Sequence, residues 1–319
     1  MHAITIDTPG GPEVLRWTEV PDPVPGAGQV LIEVAAAGVN RADALQRQGN
    51  YPPPKDAPPY PGLEVSGRIR ELGEGVHGWR TGQEVCALLG GGGYAELAVA
   101  PVGQLLPVPA NVDLVDAAGL PEAAATVFSN VVDVARLKPG ETLLVHGGGS
   151  GIGTFAVQLG KALGAAVVTT ARASKRNRLL ALGADRVIDY AAEDFSADTK
   201  ADVILDIMGG SYLKQNVDAL NFGGRLVVIG LQGGRRGELD LGQLLTKRAT
   251  VAGTTLRARS AAEKAAILRG VHEEVWPLLE KGRIRPVTHA RFPMADAAAA
   301  HRLMESSEHF GKILLTTGG

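Results

Sequence analysis

The chain has 319 residues, a formal net charge of −2 and a sequence pI of about 6.4. This length suits two domains, and the charge balance favours neither nucleic acid nor an anionic membrane as a partner. A single cysteine, Cys86, excludes an internal disulfide, and its apolar neighbours indicate a buried thiol. No signal-peptide pattern begins the chain and no stretch approaches the ~20 apolar residues of a membrane span, so we expect a cytoplasmic protein.

Short apolar runs separated by Pro–Gly turns fill residues 1–118, which predicts an irregular β domain. The pattern becomes helical over 122–136, where Val127, Val131 and Val134 are spaced for one helix face. Strand and helix signals then alternate, which predicts an α/β unit with a doubly wound parallel sheet of six strands. The predicted strands are 142–146, 166–170, 185–189, 202–207, 225–230 and 250–254.

Residues beyond about 260 return to a helical pattern over 261–281 and end in a predicted strand at 312–315. A tail of this length is expected to rejoin the first domain. We find no internal repeat.

The glycine-rich run at 145–153 separates the strand at 142–145 from a predicted helix at 154–163. In a strand–turn–helix unit the backbone N–H groups and the helix N-terminus can hold an anionic diphosphate. Small residues recur every third position at Gly147, Ser150 and Gly153, although a glycine run can also form a plain loop. The residues predicted to bind the cofactor here are Gly147, Gly149, Ser150, Gly151, Ile152 and Gly153.

The segment after the next strand favours NADPH. An NAD site usually has an acidic residue at this point to bind the ribose, but there is no Asp or Glu between Gly164 and Ala184. Arg172 and Lys175 lie where a 2′-phosphate would bind. The alternative is a solvated basic helix start, which would oppose the helix dipole, and we assign only Arg176 and Arg178 to that solvated face.

Three motifs resemble a known family: 38–43 (GVNRAD), 46–54 (QRQGNYPPP) and 61–67 (PGLEVSG). With the glycine loop and 311–313, they resemble the quinone oxidoreductase branch of the medium-chain dehydrogenase/reductase superfamily. The subgroup most similar is that of the tumour-suppressor-inducible quinone oxidoreductases, which share Ser150. The resemblance implies a GroES-like, mostly-β catalytic domain (1–120 and 259–319), a Rossmann-type NADPH-binding domain (121–258), and homodimers that pair sheet edges near 250–254.

The same resemblance argues against zinc. Zinc alcohol dehydrogenases of this superfamily have Cys and His where this chain has Asn40 and Leu63, and their structural zinc needs four cysteines. Glu64 alone does not make a site. Without a Lewis acid, reduction of small quinones by direct hydride transfer from NADPH is the favoured reaction, since the developing charge is delocalised. The alternatives are reduction of an enone or enoyl thioester, and a non-enzymatic NADPH-binding protein of the crystallin, redox-sensor or RNA-binding kind.

Three residues are candidates for the catalytic site: Asn40, Tyr51 and Ser150. Asn40 can cap the helix at 41–46, while the resemblance places it beside the nicotinamide ribose and substrate. Tyr51 precedes three prolines and is either a surface aromatic or, as the resemblance favours, a donor to a quinone oxygen. Tyr51, Ser150 or water would supply the proton.

The remaining cofactor candidates follow strands, begin a helix or come from the tail. Strand ends matter because ligands of open α/β sheets bind at the carboxyl edge. Packing on a helix face, a half-exposed tyrosine and ordinary turns are the structural alternatives for several of them. These candidates are Thr126, Tyr190, Met208, Gly230, Leu231, Thr255, Leu256, Phe310 and Lys312.

Overall fold

A computed structural model describes residues 1–318, which divide into two compact units. The terminal unit contains Met1–Ala125 and the segment from Leu256 onward, and the central unit is Thr126–Thr255. No helix within residues 1–318 is long and apolar enough to cross a bilayer.

The strands, in chain order, are β1 (His2–Ile6), β2 (Leu15–Glu19), β3 (Gln29–Gly38), β4 (Glu64–Leu72), β5 (Glu84–Leu88), β6 (Leu97–Pro101), β7 (Leu105–Pro107), β8 (Thr142–His146), β9 (Ala166–Ala171), β10 (Arg186–Asp189), β11 (Ala201–Asp206), β12 (Leu220–Val228), β13 (Thr250–Gly253), β14 (Thr288–Pro293) and β15 (Lys312–Thr316).

The α-helices are α1 (Arg41–Arg47), α2 (Leu114–Ala117), α3 (Pro121–Val127), α4 (Gly151–Ala162), α5 (Arg176–Ala181), α6 (Leu213–Ala219), α7 (Leu241–Lys247), α8 (Ala261–Gly270), α9 (Trp276–Glu280) and α10 (Ala297–Ser306). Shorter turns of 3-10 helix join several of the elements.

The central unit is built on a parallel six-stranded sheet in the order β10-β9-β8-β11-β12-β13. In chain order, β8, β9 and β10 are added toward one edge of the sheet, and β11, β12 and β13 toward the other edge, which is the Rossmann arrangement. Apolar residues such as Leu144, Ile204 and Leu226 are fully buried in its core. This sheet confirms the predicted doubly wound α/β fold. The prediction was possible because strands that are buried on both faces appear in the sequence as contiguous apolar runs.

The terminal unit contains a mixed sheet in the order β14-β15-β3-β4-β5-β7, with β6 also paired to β3. Strand β15 pairs antiparallel with β3, so the end of the chain completes the sheet begun near its start. Ile32, Val65, Val85 and Ile313 share its buried core. This sheet confirms the predicted mostly-β domain and the return of the tail to it.

Two predicted helices are interrupted. The helix predicted over 122–136 is α-helical only to Val127 and continues as a π-helix over Phe128–Val134. The helix predicted over 261–281 contains a π-helical turn, Val271–Val275, just before Pro277. Proline lacks the N–H needed to continue the regular hydrogen-bond ladder, which accounts for the second interruption.

Candidate functional site

The glycine loop forms a helix N-terminus with a serine cap. The Ser150 hydroxyl accepts a hydrogen bond from the Gly153 N–H at 3.0 Å and donates to the Gly147 carbonyl at 2.8 Å. Since the first N–H groups of a helix have no acceptor within it, those of Gly151 and Ile152 are available to an anion. The predicted loop therefore has the geometry of a phosphate site, but the Ser150 proton is engaged inside the cap.

Glycine is required at two positions of this loop. Gly147 has φ of +71°, a left-handed conformation that a side chain strains. A Cβ on Gly153 would strike the Gly147 carbonyl oxygen and come within 2.6 Å of the Gly148 Cα. Only glycine fits at these two positions, so the loop turns tightly into the N-terminus of α4, the end of a helix that favours an anion.

A buried histidine anchors the strand that leads into the loop. His146 Nε2 lies 2.6 Å from Asn216 Oδ1, and His146 Nδ1 lies 3.1 Å from Thr170 Oγ1. That hydroxyl oxygen also accepts from the Gly147 N–H at 3.3 Å. Burial lowers the pKa of His146 to about 4, so the imidazole is neutral at pH 7. No pattern in the sequence indicates this role of His146.

Arg172 and Lys175 follow β9, on the carboxyl side of the sheet. Arg172 Nε donates to the Tyr190 hydroxyl at 3.2 Å, so these two predicted residues are brought together. Lys175 is half-buried beside Gly149, where an added Cβ would lie 3.2 Å from its Nζ. Burial, with the charges of Arg172 and Arg178, lowers the pKa of Lys175. A bound anion would offset all three effects.

Arg176, assigned to the solvated face, forms an ion pair with Glu193 at 3.0 Å, and both side chains are exposed.

The ends of β11 and β12 carry the candidates Met208, Gly230 and Leu231. Asp206 accepts from the N–H groups of Met208 at 2.6 Å and Gly209 at 3.0 Å, which fixes this turn. Burial raises the pKa of Asp206 to about 6, although both N–H donors oppose the rise. A Cβ on Gly230 would lie 2.8 Å from the Ile207 carbonyl oxygen, and Leu231 is exposed. Gly230 is thus needed for packing whatever it binds.

A buried polar cluster in the terminal unit contains Asn40, Glu64 and Lys312. The Asn40 amide nitrogen donates to Glu64 Oε1 at 2.9 Å, and the Lys312 ammonium donates to Asn40 Oδ1 at 2.8 Å and to Glu64 Oε1. Glu64 Oε2 accepts from the Glu122 N–H at 2.8 Å. Asn40 is also the N-cap residue of α1, with its backbone N–H bonded to Asp43 Oδ2 at 2.8 Å. Its backbone therefore serves the cap while its amide serves the cluster.

This cluster does not fit a zinc ion. The Lys312 ammonium already supplies the cation that faces Glu64, and Leu63 offers no donor atom. Cys86 is fully buried, and burial raises the pKa of its thiol well above the usual range, which disfavours a thiolate ligand. Within residues 1–318, no group of three or more His, Cys, Asp or Glu side chains could hold a metal ion.

Tyr51 lies under a buried guanidinium in the terminal unit. The Arg257 guanidinium carbon is 5.3 Å from the centre of the Tyr51 ring, and Arg257 donates to the carbonyls of Tyr51 and Gly90 and to Gln46 Oε1. The Tyr51 hydroxyl has no hydrogen-bond partner within residues 1–318. Arg257 directly follows the predicted pair Thr255 and Leu256, but no pattern in the sequence marks it as a site residue.

Four other predicted cofactor residues are placed in the two units as follows. Thr126 is buried and its carbonyl accepts from Asn130 Nδ2 at 2.7 Å. Leu256 and Phe310 are buried, whereas Thr255 is exposed. These positions leave their contact with a cofactor as a prediction.

Two family models match separate parts of the chain. Residues 26–110 match the alcohol dehydrogenase GroES-like domain, and residues 182–315 match the zinc-binding dehydrogenase family. The zinc in that description belongs to the family, since the residues present here do not fit a zinc site, as described above.

Whole-length relatives extend this match. The quinone oxidoreductase of Rattus norvegicus is 32% identical over 326 residues, which cover 99% of this chain and 97% of the relative. The structure of Escherichia coli quinone oxidoreductase complexed with NADPH is similar, with a TM-score of 0.86, 28% identity, and coverage of 99% of this chain and 100% of that one. An NAD-dependent alcohol dehydrogenase has a TM-score of 0.88 at 30% identity, with both chains fully covered.

Proposed function

The chain belongs to the medium-chain dehydrogenase/reductase superfamily of oxidoreductases, and we propose that within it this protein reduces small quinones with NADPH, without a metal ion. The observation that carries the choice of acceptor is the Lys312 ammonium bonded to Asn40 and Glu64. A fixed ammonium cannot offer an alcohol or carbonyl oxygen an open coordination position, as zinc does. An electron-poor ring that delocalises the incoming charge needs that assistance least.

The residues that would hold NADPH are those of the glycine loop and the cations after β9. The N-terminus of α4 and the tightly closed loop suit the diphosphate, and Arg172 and Lys175 suit a 2′-phosphate. The further cofactor contacts that we propose are the nine residues named in the sequence analysis. They are Thr126, Tyr190, Met208, Gly230, Leu231, Thr255, Leu256, Phe310 and Lys312. The similar structures include both an NADPH complex and an NAD-dependent enzyme, so similarity alone does not select the cofactor. The two cations are what supports the choice of NADPH.

When bound, NADPH supplies a hydride to the acceptor. The quinone gains this hydride and one proton to become a hydroquinone. Tyr51 is our first candidate for the proton donor, because its hydroxyl is not bonded within the described residues and its ring is held by Arg257. Ser150 is second, since its proton is engaged with Gly147. Most of the acceleration would come from orientation of the two reactants.

We also propose a homodimer that pairs the edges of two central sheets. Strand β13 is the last strand of the sheet order and pairs only with β12 among the described strands. An open strand edge readily accepts another strand.

Steady-state kinetics with the purified protein and NADPH test the proposal. The acceptors are naphthoquinones, enones and an enoyl thioester, and NADPH oxidation is followed with each. We expect turnover of the quinones. Turnover of enones or thioesters with none of quinones would replace the proposal with a double-bond reductase. Tight NADPH binding without turnover of any acceptor would favour a non-enzymatic role.

A further inference from the structure

Tyr51 begins a proline loop, residues 51–60, that lies between α1 and β4 in the terminal unit. Five of its ten residues are proline, and a proline has no N–H with which to hold the loop by backbone hydrogen bonds. The position of the Tyr51 side chain therefore depends on contacts that other segments make with the loop.

Arg257 joins the proline loop to two other segments. Its side chain is only 4% exposed. The guanidinium donates through Nε to the Gly90 carbonyl at 2.9 Å, through Nη2 to Gln46 Oε1 at 2.6 Å and through Nη1 to the Tyr51 carbonyl at 3.4 Å. Each nitrogen of one planar group thus binds a different segment: the glycine run at 90–93, helix α1 and the start of the loop.

Gln46 holds the other end of the proline loop. While its Oε1 accepts from Arg257, its Nε2 donates to the Pro59 carbonyl at 2.9 Å. The Gln46 side chain is only 7% exposed, so neither hydrogen bond is easily exchanged for one with water. Arg257 and Gln46 therefore act as one hydrogen-bonded pair, bound to Tyr51 at the start of the loop and to Pro59 near its end.

The glycine run also packs directly on the proline loop. The Gly92 N–H donates to the Tyr60 carbonyl at 2.9 Å. Gly92 has φ of +86°, and a Cβ there would lie 2.8 Å from Pro58 Cγ, so a larger residue would separate the two segments. Since Arg257 is bonded to this run at Gly90, it fixes the loop and the surface on which the loop packs.

The charge of Arg257 also acts on the Tyr51 phenol. The guanidinium carbon lies 5.3 Å from the centre of the ring, within the range of a cation–π contact. Burial raises the pKa of the Tyr51 hydroxyl, Arg257 opposes this rise, and Glu122 adds to it. The charge of Asp43 favours the protonated guanidinium against the effect of burial. A cation at this distance stabilises the phenolate that remains when a tyrosine gives up its proton.

We propose that Arg257 and Gln46 are positioning residues that set the orientation of Tyr51 toward the acceptor. The inference rests on the proposed function for the role of Tyr51, whereas the order that the pair imposes on the proline loop is a property of the protein alone. Lysine cannot replace Arg257, because an ammonium keeps the charge but lacks the planar fork that reaches three segments at once.

Steady-state kinetics with a naphthoquinone and NADPH provide the first test. The variants are Arg257→Lys and Gln46→Leu, with Arg269→Lys as the matched control at an exposed position of α8. Arg257→Lys should lower kcat/KM about 10- to 100-fold, mostly through kcat, because small displacements of a reacting group are costly. Gln46→Leu should have an effect in the same direction. The dissociation constant of NADPH should stay within about twofold, and Arg269→Lys should match the parent protein.

A double-mutant cycle separates positioning from a general structural role. If the pair acts through Tyr51, then Arg257→Lys or Gln46→Leu placed in the Tyr51→Ala protein should change kcat/KM by less than about twofold. A residue that only supports the fold would cause the same loss with or without the tyrosine. Equal losses in the two backgrounds would overturn the inference.

Hydrogen exchange tests the order of the loop without any turnover. Backbone N–H groups at 55–57 and at Gly92 should exchange about tenfold faster in Arg257→Lys and Gln46→Leu than in the parent protein or Arg269→Lys, since each lost hydrogen bond lowers the local cost of opening. Unchanged exchange in both variants would contradict the inference even if activity fell. Faster exchange in a protein that reduces no quinone would refute the proposed function and leave the ordering role of the pair standing.

Discussion

Replacement of Arg172 and Lys175 by alanine should change cofactor preference. Each charge-assisted hydrogen bond to a phosphate contributes about 1.5–3 kcal/mol. Arg172 is exposed, so solvent screening places its contribution near the low end of this range. Its loss should weaken NADPH binding about tenfold. Lys175 is half-buried beside Gly149 and should contribute about 10- to 100-fold. The double variant should therefore bind NADPH roughly 100- to 1000-fold more weakly.

Binding titrations with NADPH and NADH provide the measurement. NADH lacks the 2′-phosphate, so its dissociation constant should remain within about twofold of the parent value. Arg178→Ala is the control, because it removes one positive charge at an exposed position of α5, the helix that directly follows Arg172 and Lys175, on the face assigned to solvent. Added salt should weaken NADPH more than NADH in the parent protein. Equal loss of both cofactors in the double variant, or an equal effect of Arg178→Ala, would show that the two cations are structural and refute the reasoning.

Three other changes test the remaining assignments. Tyr51→Ala should lower kcat/KM for quinones much more than it weakens NADPH binding. Tyr51→Phe should behave like Tyr51→Ala if the hydroxyl bonds the quinone, and like the parent protein if only the ring matters. Parental kinetics in both variants would make Tyr51 a surface residue. Lys312→Met should lower the free energy of unfolding, measured with urea, by about 3–5 kcal/mol, because it leaves the fully buried Glu64 without its cation. Lys264→Met is the control variant. Equal free energies of unfolding for the two variants would contradict the buried polar cluster. Dialysis against a strong chelator should leave activity and melting temperature unchanged, whereas stoichiometric zinc in the active protein would overturn the argument from ligand chemistry.

The central unit was predictable from local patterns. Its parallel strands are buried on both faces, so they appear in the sequence as continuous apolar runs such as 142–146 and 202–207. The glycine loop was equally predictable from the sequence. Ser150 and Gly153 are three residues apart, and their hydrogen bond is the local contact of a capped helix. In both cases the physical cause acts over a few residues, and spacing alone reveals it.

The contacts between buried polar side chains in the terminal unit could not be predicted from local sequence patterns. Lys312 meets Glu64 across 248 residues, and Arg257 meets Tyr51 across 206. No local pattern encodes such pairs, since the return of β15 to β3 and the approach of Arg257 to the loop at Tyr51 are made by the folded sheet and its core. Short-range periodicity and glycine sterics were enough to predict the fold class and the glycine loop. Which buried charges are neutralised followed only from the folded chain, because the pairing of Lys312 with Glu64 depends on groups that are distant in sequence and share one region of low dielectric.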